Sequence, residues 1–262
     1  MRRVILVLVL VLVLVPAACS GTAQQRVIVA AGTTLVDSGL LDAVADIFEV
    51  FHPDIELSVV GEATAQVLEL GRRGGADVLI THAPDLEADF VGEGLAARYE
   101  AVLFSSFVIV GPPGGPAGGT AVEVLTAIAA RGGPFVSRAD GSGTDEMERR
   151  LWLAAGIDPT GQPWYLETGQ GMGLTLQVTD QRDGYTLSEL GAFLAASGVL
   201  SLEVIEVTEP LPNPYHLIVV EASDERAAGE EFLDWLIGPL GREALVQINE
   251  DLFGRIVYAP PG

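Results

Sequence analysis

The stretch VIVAAGTTLVDSGLLDAVADIFEVF, residues 27–51, carries the unit on which the fold prediction depends. Residues 27–30 are a short β-branched run, which predicts a buried strand. Apolar residues then recur at helical spacing over residues 40–51, and either Asp37 or Ser38 would be a good N-cap for that helix. A strand that leads through Gly-Thr-Thr into a helix is a building unit of α/β proteins.

The same alternation continues along the chain. Further strands are predicted at residues 55–60, 77–80, 107–110, 135–137 and 217–220. Further helices are predicted at residues 66–70, 144–155, 227–236 and 242–248. Strands that alternate with helices predict a largely parallel sheet with helices against its faces.

Two loops rich in Gly and Pro, at residues 111–116 and 210–214, divide this pattern. We therefore predict an α/β fold of two lobes, each a mostly parallel sheet flanked by helices, joined by two crossovers. Lobe 1 would comprise residues 26–110 and 213–262, and lobe 2 residues 111–212. Two crossovers suit a hinged clamp with a ligand held between its lobes. A single three-layer α/β domain with a long excursion is the alternative.

The N-terminus has the layout of an export signal. Arg2 and Arg3 precede an apolar run at residues 4–15, and small residues follow it. The run is too short to cross a bilayer comfortably, which argues against a transmembrane helix. We predict that residues 1–18 are a signal peptide and that the mature chain is exported to the extracytoplasmic face of the membrane or the periplasm.

Cys19, the sole cysteine of the chain, follows two alanines at the end of this signal. The arrangement resembles a bacterial lipobox, although Pro16 stands where such a motif usually has leucine. It predicts that Cys19 is lipidated and that residues 19–25 tether the protein to the membrane. Cleavage by an ordinary signal peptidase after Ala18 is the alternative.

The charge of the chain limits its partners. It has 36 acidic residues against 14 basic ones, all of them arginine, for a net charge of −22. Such a surface repels nucleic acid, whose binding depends on cations that neutralise phosphates. The charge is consistent with solubility in a salty or acidic medium. If the ligand is an anion, local hydrogen-bond donors have to overcome the field of the whole chain.

Three loops share a composition that suits such a ligand. Each offers hydroxyls, glycines and free backbone N–H groups where a helix begins, which is a common anion-binding arrangement. The candidate residues are Thr33, Thr34, Ser142, Gly143, Thr144, Thr168 and Gly171. Taken singly, each loop could equally be an ordinary helix cap.

Arg138 lies between a predicted strand and the Ser-Gly-Thr loop. A guanidinium is planar and permanently charged, so it suits oxyanions. A salt bridge to Asp140 is an equally good interpretation from position alone.

The sequence contains little that predicts catalysis. His52, His82 and His216 are scattered and lack the spacing of metal ligands, and no G-x-S-x-G motif is present. His82 follows a strand, where packing is the more common role. We therefore expect no enzymatic activity, no cofactor and no bound metal cation.

Several segments, in order along nearly all of the mature chain, resemble the tungstate-binding proteins of ABC importers, which have the type II periplasmic binding protein fold. The segments are residues 37–41 (DSGLL), 75–84 (GADVLITHAP), 107–112 (FVIVGP), 134–138 (PFVSR), 142–144 (SGT), 164–173 (WYLETGQGMG), 185–188 (YTLS) and 213–215 (NPY).

The resemblance implies roles for particular residues. Thr33 and Thr34 match the family's first hydroxyl-rich loop, and Thr64 matches the threonine of a Gly-Thr-Gly-Gln segment. Arg138 matches the arginine that contacts the oxyanion, and residues 142–144 match the helix cap of the second lobe. Two features depart from the family: the first loop has fewer hydroxyls here, with Gly32, Leu35 and Val36 at neighbouring positions, and Asp145 replaces a histidine.

The implied function is capture of a tetrahedral oxyanion, tungstate first, and its delivery to an ABC permease. Molybdate, sulfate or phosphate could replace tungstate. A sensor or interaction lipoprotein on the same fold is the alternative outside transport, because a fold does not determine a function.

Overall fold

The structure, a computed structural model, describes residues 24–261. The predicted signal peptide and the predicted lipidation site, Cys19, lie outside the described residues. The first strand already begins at Gln25, so the last residue of the predicted tether pairs with Ile55 in the sheet. Within the described residues, no helix is both long enough and apolar enough to cross a membrane.

The elements follow one another in the order β1 (Gln25–Gly32), α1 (Thr33–Asp37), α2 (Leu40–Phe51), β2 (Ile55–Glu62), α3 (Thr64–Arg72), β3 (Val78–Thr81), α4 (Pro84–Gly92), β4 (Ala96–Gly111), α5 (Ala121–Arg131), β5 (Phe135–Ser137), α6 (Gly143–Ala154), β6 (Tyr165–Glu167), α7 (Met172–Gln181), β7 (Thr186–Glu189), α8 (Leu190–Ser197), β8 (Glu203–Ile205), β9 (Leu211–Val220), α9 (Arg226–Ile237) and α10 (Pro239–Phe253). The predicted α/β class is confirmed.

The sheet is mixed, which corrects the expectation of mostly parallel pairing. Its order is β2-β1-β3-β9-β4-β7, with β8 also paired to β4, while β5 and β6 form a separate parallel pair. Strands β1, β2 and β3 are parallel, as expected. Strand β9 is antiparallel to β3 and β4, and β7 and β8 are antiparallel to β4. The long strands β4 and β9 run side by side in opposite directions, so their neighbours cannot all be parallel.

Residues 211–214 of the loop predicted at residues 210–214 belong to strand β9. In the structure Pro212 pairs with Ser106 and Pro214 with Phe104, both on β4. Strand β3 pairs only with the later part of β9, so the two prolines have a sheet neighbour on one side. Proline has no N–H to donate, and it is tolerated in a strand where no second ladder needs that donor.

The start of α2 differs from the prediction. The chain is already helical in α1, and Ser38 ends that helix, with its hydroxyl donating to the Leu35 carbonyl at 2.7 Å. Gly39, with φ of +78°, is the N-cap of α2. The left-handed conformation of Gly39 lets the chain turn from one helix into the next, which the apolar spacing alone did not reveal.

The apolar core is divided between the two ends of β4 and β9. One group of buried side chains packs α2, α9 and α10 against the sheet of β1, β2 and β3. A second group packs α5 and α6 against the opposite ends of the long strands. Smaller groups involving α3 and α7 extend each side. The segments that lead from one core to the other therefore run along β4 and β9.

Candidate ligand-binding site

Arg138 follows directly on strand β5, and its side chain is almost completely buried, with 1% exposed. Its Nη2 donates to the Thr33 hydroxyl at 2.9 Å. Thr33 is the first residue of α1, immediately after β1. The structure thus joins two predicted site residues that lie 105 positions apart in the chain.

The guanidinium of Arg138 is also paired with Asp140. The Oδ2 atom of Asp140 accepts from Arg138 Nε at 3.0 Å and from Nη2 at 2.5 Å. The other carboxylate oxygen, Oδ1, accepts from the Ser142 backbone N–H at 3.1 Å. Ala139, between the two charged residues, has φ of +47°, which costs a non-glycine residue about 1–2 kcal/mol. The salt bridge that sequence position alone left open is therefore formed.

Among the predicted site residues, three buried polar atoms have no hydrogen-bond partner in the protein. They are Arg138 Nη1, Thr64 Oγ1 and Thr144 Oγ1. Thr64 is the first residue of α3, and Thr144 lies in the first turn of α6. Buried polar atoms nearly always have a partner, so these three atoms are candidate ligand contacts. All three can donate to an oxyanion.

A cavity of about 270 Å³ opens next to Asp140, the salt-bridge partner of Arg138, and next to Ala63, which precedes Thr64. It is lined by Thr33, Glu62, Ala63, Gln66, Asp140, Gly169, Gln170 and Gly171. The lining joins the start of α1, the junction between β2 and α3, the Arg138 loop and the start of α7. Four separate chain segments thus meet at one small polar opening.

Helix α6 begins at this loop with a conventional cap. The Ser142 hydroxyl accepts from the Asp145 backbone N–H at 3.3 Å. Asp145, the acid that replaces a histidine of the family, accepts from the Gly141 N–H at 2.9 Å and pairs with Arg149 at 2.8 Å. Its charge is therefore compensated within its own loop and helix, where it holds the turn that carries Asp140.

Gly143 allows α6 to approach His82 closely. A Cβ at Gly143 would lie 2.7 Å from the His82 carbonyl oxygen, which is too close for any side chain. His82 is buried, stacks on Tyr215 with 4.7 Å between ring centroids, and bonds Asn213 Oδ1 through Nδ1 at 2.9 Å. Burial lowers the pKa of His82 to about 4, so its ring is neutral near pH 7.

Thr34 lies against the same ring stack. It is fully buried, and its hydroxyl is 3.4 Å from the Tyr215 hydroxyl. Asp37, at the end of α1, accepts from the Gly173 backbone N–H of α7. Burial raises the pKa of Asp37, and the nearby charge of Arg138 partly offsets that rise. These contacts connect α1 to both β9 and α7.

Thr168 forms hydrogen bonds with the chain at Ser137, directly before Arg138. Its hydroxyl contacts the Ser137 carbonyl at 3.0 Å and the Thr175 hydroxyl at 3.0 Å. The hydroxyl is thus engaged within the protein, whereas Gly171, the N-cap of α7, lies at the cavity. The structure therefore places Gly171 at the opening and Thr168 behind it.

Glu62, Gln66 and Gln170 line the cavity, and Asn213 and Tyr215 support His82, although none of them was predicted from sequence. Gln66, Gln170, Asn213 and Tyr215 belong to segments that carry the family resemblance, so a signal for these four was present. Asp140 was considered only as a salt-bridge partner. Within the described residues, no group of three or more His, Cys, Asp or Glu side chains could hold a metal ion.

Comparisons with known proteins identify the family of the chain. The model of the PBP (periplasmic binding protein) superfamily domain matches residues 18–239. The tungstate-binding protein TupA of Peptoclostridium acidaminophilum is 31% identical over 91% of the chain and 86% of its own length. A provisionally named ABC transporter anion-binding protein of Haloferax volcanii is 36% identical over 84% of the chain and 68% of its own length.

Among solved structures, the tungstate ABC transporter protein of Geobacter sulfurreducens superimposes with a TM-score of 0.76. It is 35% identical, and the alignment covers 85% of this chain and 98% of that one. These relatives are substrate-binding proteins of transporters. The chain therefore belongs to the periplasmic binding protein superfamily, with the type II fold, in the family that contains the tungstate-binding proteins of ABC importers.

Proposed function

We propose that this protein is a non-enzymatic, extracytoplasmic receptor that captures a tetrahedral oxyanion, tungstate first, and delivers it to an ABC permease. The observation that carries the proposal is the set of buried donors without protein partners: Arg138 Nη1, Thr64 Oγ1 and Thr144 Oγ1. The relatives that are named for tungstate or anion binding support the same ligand class.

The energetics of these donors are compatible with the acidic chain. A hydrogen bond to a charged group contributes about 1.5–3 kcal/mol, so three donors together can outweigh a repulsive surface field. Salt also screens surface charge over a Debye length of about 8–10 Å, while buried contacts are screened much less. We therefore expect binding that depends weakly on ionic strength.

The site in this proposal lies between two lobes, residues 26–110 with 213–262 and residues 111–212. Support comes from contacts that join the two parts: Arg138 to Thr33, and Arg150 to Asp85 at 2.6 Å. The long strands β4 and β9 would form the crossovers of a hinged clamp. Candidate residues at the site are Thr33, Thr34, Thr64, Arg138, Ser142, Gly143, Thr144, Thr168 and Gly171.

Attachment to the membrane through lipidated Cys19 completes the proposal. A receptor tethered beside its permease needs no long diffusion to deliver the ligand. Export and lipidation are tested by mass spectrometry of the protein from its native membrane, where a diacylated Cys19 is expected at the N-terminus. An unmodified N-terminus that begins at Cys19 would favour the ordinary signal peptidase instead.

The ligand is tested with purified protein beginning at residue 20. Tungstate, molybdate, sulfate and phosphate are added separately, and thermal unfolding and calorimetric titration are recorded. A ligand at 100 times its Kd stabilises the folded state by about 2.7 kcal/mol. We expect tungstate to give the largest increase in Tm. The absence of any increase with all four anions would contradict oxyanion binding.

Arg138→Ala separates this site from general electrostatics. Loss of a charged donor should weaken tungstate binding at least tenfold. Arg98→Ala is the matched control, because Arg98 pairs with Asp234 and Glu100 away from the cavity. Both variants remove one positive charge, so equal affinities for the two would show that Arg138 is not a ligand contact.

A further inference from the structure

The donors that would hold an oxyanion already hold a carboxylate. Asp140 Oδ2 takes the Nε–Nη2 edge of Arg138, and Asp140 Oδ1 takes the Ser142 N–H close to the start of α6. An arginine edge together with backbone N–H groups near a helix start is the donor set of an anion site. A carboxylate and a tetrahedral oxyanion each have oxygens that can accept from two such donors at once.

We propose that the Asp140 carboxylate competes with the oxyanion for Arg138 and the Ser142 N–H, and thereby lowers the affinity and sets the threshold of capture. The inference rests on the proposed function. Asp140 occupies the donors that it would share with the ligand, the Nε–Nη2 edge of Arg138 and the Ser142 N–H. Three donors remain for the ligand alone: Arg138 Nη1, Thr64 Oγ1 and Thr144 Oγ1. The oxyanion gains these three donors, which Asp140 does not reach, and this difference lets it displace the carboxylate.

Asp140 has a route by which it can leave. Its side chain is 12% exposed and lines the cavity, whereas Arg138 is 1% exposed and stays buried. On displacement the carboxylate moves into the cavity and toward water, so no charge is left buried without compensation.

The backbone of the same loop is strained. Ala139 at φ +47° stores strain between Arg138 and Asp140, which a rotation of the intervening peptide would release. The turn is held from the other side by Asp145, which accepts from the Gly141 N–H. Because Gly141 is held by Asp145 and Ala139 is strained, we expect the movement to be confined to residues 139–140.

Competition of this kind has a defined size. When only a fraction of molecules has a free site, the apparent Kd rises by the inverse of that fraction. If Asp140 occupies the donors in roughly nine of ten molecules, its removal tightens binding about tenfold. Asp140 is thus a residue that tunes affinity, and it also excludes weakly bound anions that cannot displace it.

The test compares Asp140→Asn with Glu62→Gln. Glu62 lines the same cavity, so its change removes one negative charge without removing a competitor for Arg138. Calorimetric titration with tungstate and with sulfate should show at least tenfold tighter tungstate binding in D140N and less than threefold in E62Q. Without ligand, D140N should have a lower Tm than the wild type, because Arg138 loses its buried partner. Saturating tungstate should remove that difference.

Each outcome decides the matter. D140N binding that is weaker than wild type, or no tighter than E62Q, overturns the competition while tungstate binding by the wild type keeps the proposed function. Binding by D140N alone supports the competition but contradicts capture of tungstate by the wild type. No binding by either protein overturns the proposed function and the inference with it. If D140N does not fold, Asp140→Ser, which is also neutral, takes its place with the same expected result.

Discussion

Two buried polar regions of this protein, the Arg138 loop and the Glu189 cluster, differ in how completely their hydrogen bonds are made. Glu189 is fully buried at the end of β7, and its oxygens accept from the Ser105 and Tyr258 hydroxyls and from the Ala192 backbone N–H. Every contact of its carboxylate is internal to the protein. Burial raises the pKa of Glu189, although these hydrogen bonds partly offset the rise.

The Arg138 region is buried to a similar degree, but some of its hydrogen-bond donors have no acceptor in the protein. Arg138 Nη1 has no partner, and neither have the hydroxyls of Thr64 and Thr144. A complete network stabilises one arrangement of the chain, while an incomplete one at the same depth has capacity for a ligand. The comparison predicts that substitutions in the Glu189 cluster change stability, and that substitutions in the Arg138 region change affinity.

The largest expected effect is on the complete network. Glu189→Ala removes the acceptor of two hydroxyls and a backbone N–H, which should cost roughly 3 kcal/mol or more of unfolding free energy. Chemical denaturation measures this, with the exposed Glu243→Ala of α10 as a control expected within about 0.5 kcal/mol. Tungstate affinity of folded E189A should stay within threefold. A large loss of affinity at unchanged stability would reverse the comparison.

Glu148 is a second buried carboxyl group with internal hydrogen bonds, and its contribution to stability should depend on pH. It accepts from Tyr165 and Trp152, and burial raises its pKa to about 7 from an ordinary 4.5. Between pH 4.5 and pH 7 the Glu148 carboxyl group is therefore protonated in the folded state and ionised in the unfolded state. The stabilising contribution is therefore complete below pH 4.5 and is lost as pH rises to 7, by about 3 kcal/mol.

Denaturation of the wild type and Glu148→Gln across pH 4–8 measures this contribution. The glutamine cannot ionise, so the wild type should lose stability relative to E148Q as pH rises. Parallel curves for the two proteins would contradict the raised pKa.

Substitution of Thr64 and Thr144, whose hydroxyls have no partner, should affect stability and affinity in opposite directions. Thr64→Val and Thr144→Val keep the side-chain shape, so ligand-free stability should be unchanged or about 1 kcal/mol higher. Tungstate affinity should fall about tenfold for each, since a charged hydrogen bond is lost. Thr179→Val is the control, because the Thr179 hydroxyl donates to the Thr175 carbonyl at 2.7 Å within α7. Affinity loss in the control alone would refute the assignment.

The smallest expected effect concerns the strained residue of the loop. Ala139→Gly relieves a left-handed conformation that costs alanine about 1–2 kcal/mol, against roughly 0.5–1 kcal/mol for the flexibility of glycine when unfolded. We expect a net gain of less than about 1 kcal/mol in ligand-free stability. Asp183→Gly, at φ +48°, should gain less, because aspartate tolerates this conformation better. Destabilisation by A139G would show that the strain is absent.

Sequence periodicity located many elements, shortened others, and gave no prediction for α4, α5, α7, α8, β6, β7 and β8. Strands β2 and β5 and helix α6 were predicted within two residues, because their apolar pattern and their ends are local. Only residues 107–110 of the sixteen-residue β4 were predicted, since its earlier part is half exposed and lacks a continuous apolar run. Strand β9 was missed at its prolines, whose acceptance depends on which side of the strand is paired.

The ligand-contacting role of the site residues stays a prediction. The family resemblance directs attention to Arg138, Thr33, Thr64 and Thr144, because these short motifs are visible in sequence. Sequence alone could not distinguish the engaged hydroxyl of Thr168 from the free hydroxyl of Thr144, since that depends on neighbours 31 positions away.

By itself the sequence determined the α/β class, the export signal as a prediction, and the identity of the donor groups. These features depend on spacing and residue type within short segments. Only the tertiary structure decided that the sheet is mixed, that Asp145 turns toward Gly141 and Arg149, and that Asp140 occupies the Arg138 edge. The physical reason is that burial and hydrogen bonding are settled by which distant segments meet, and β1, β2 and β5 bring those segments to one cavity.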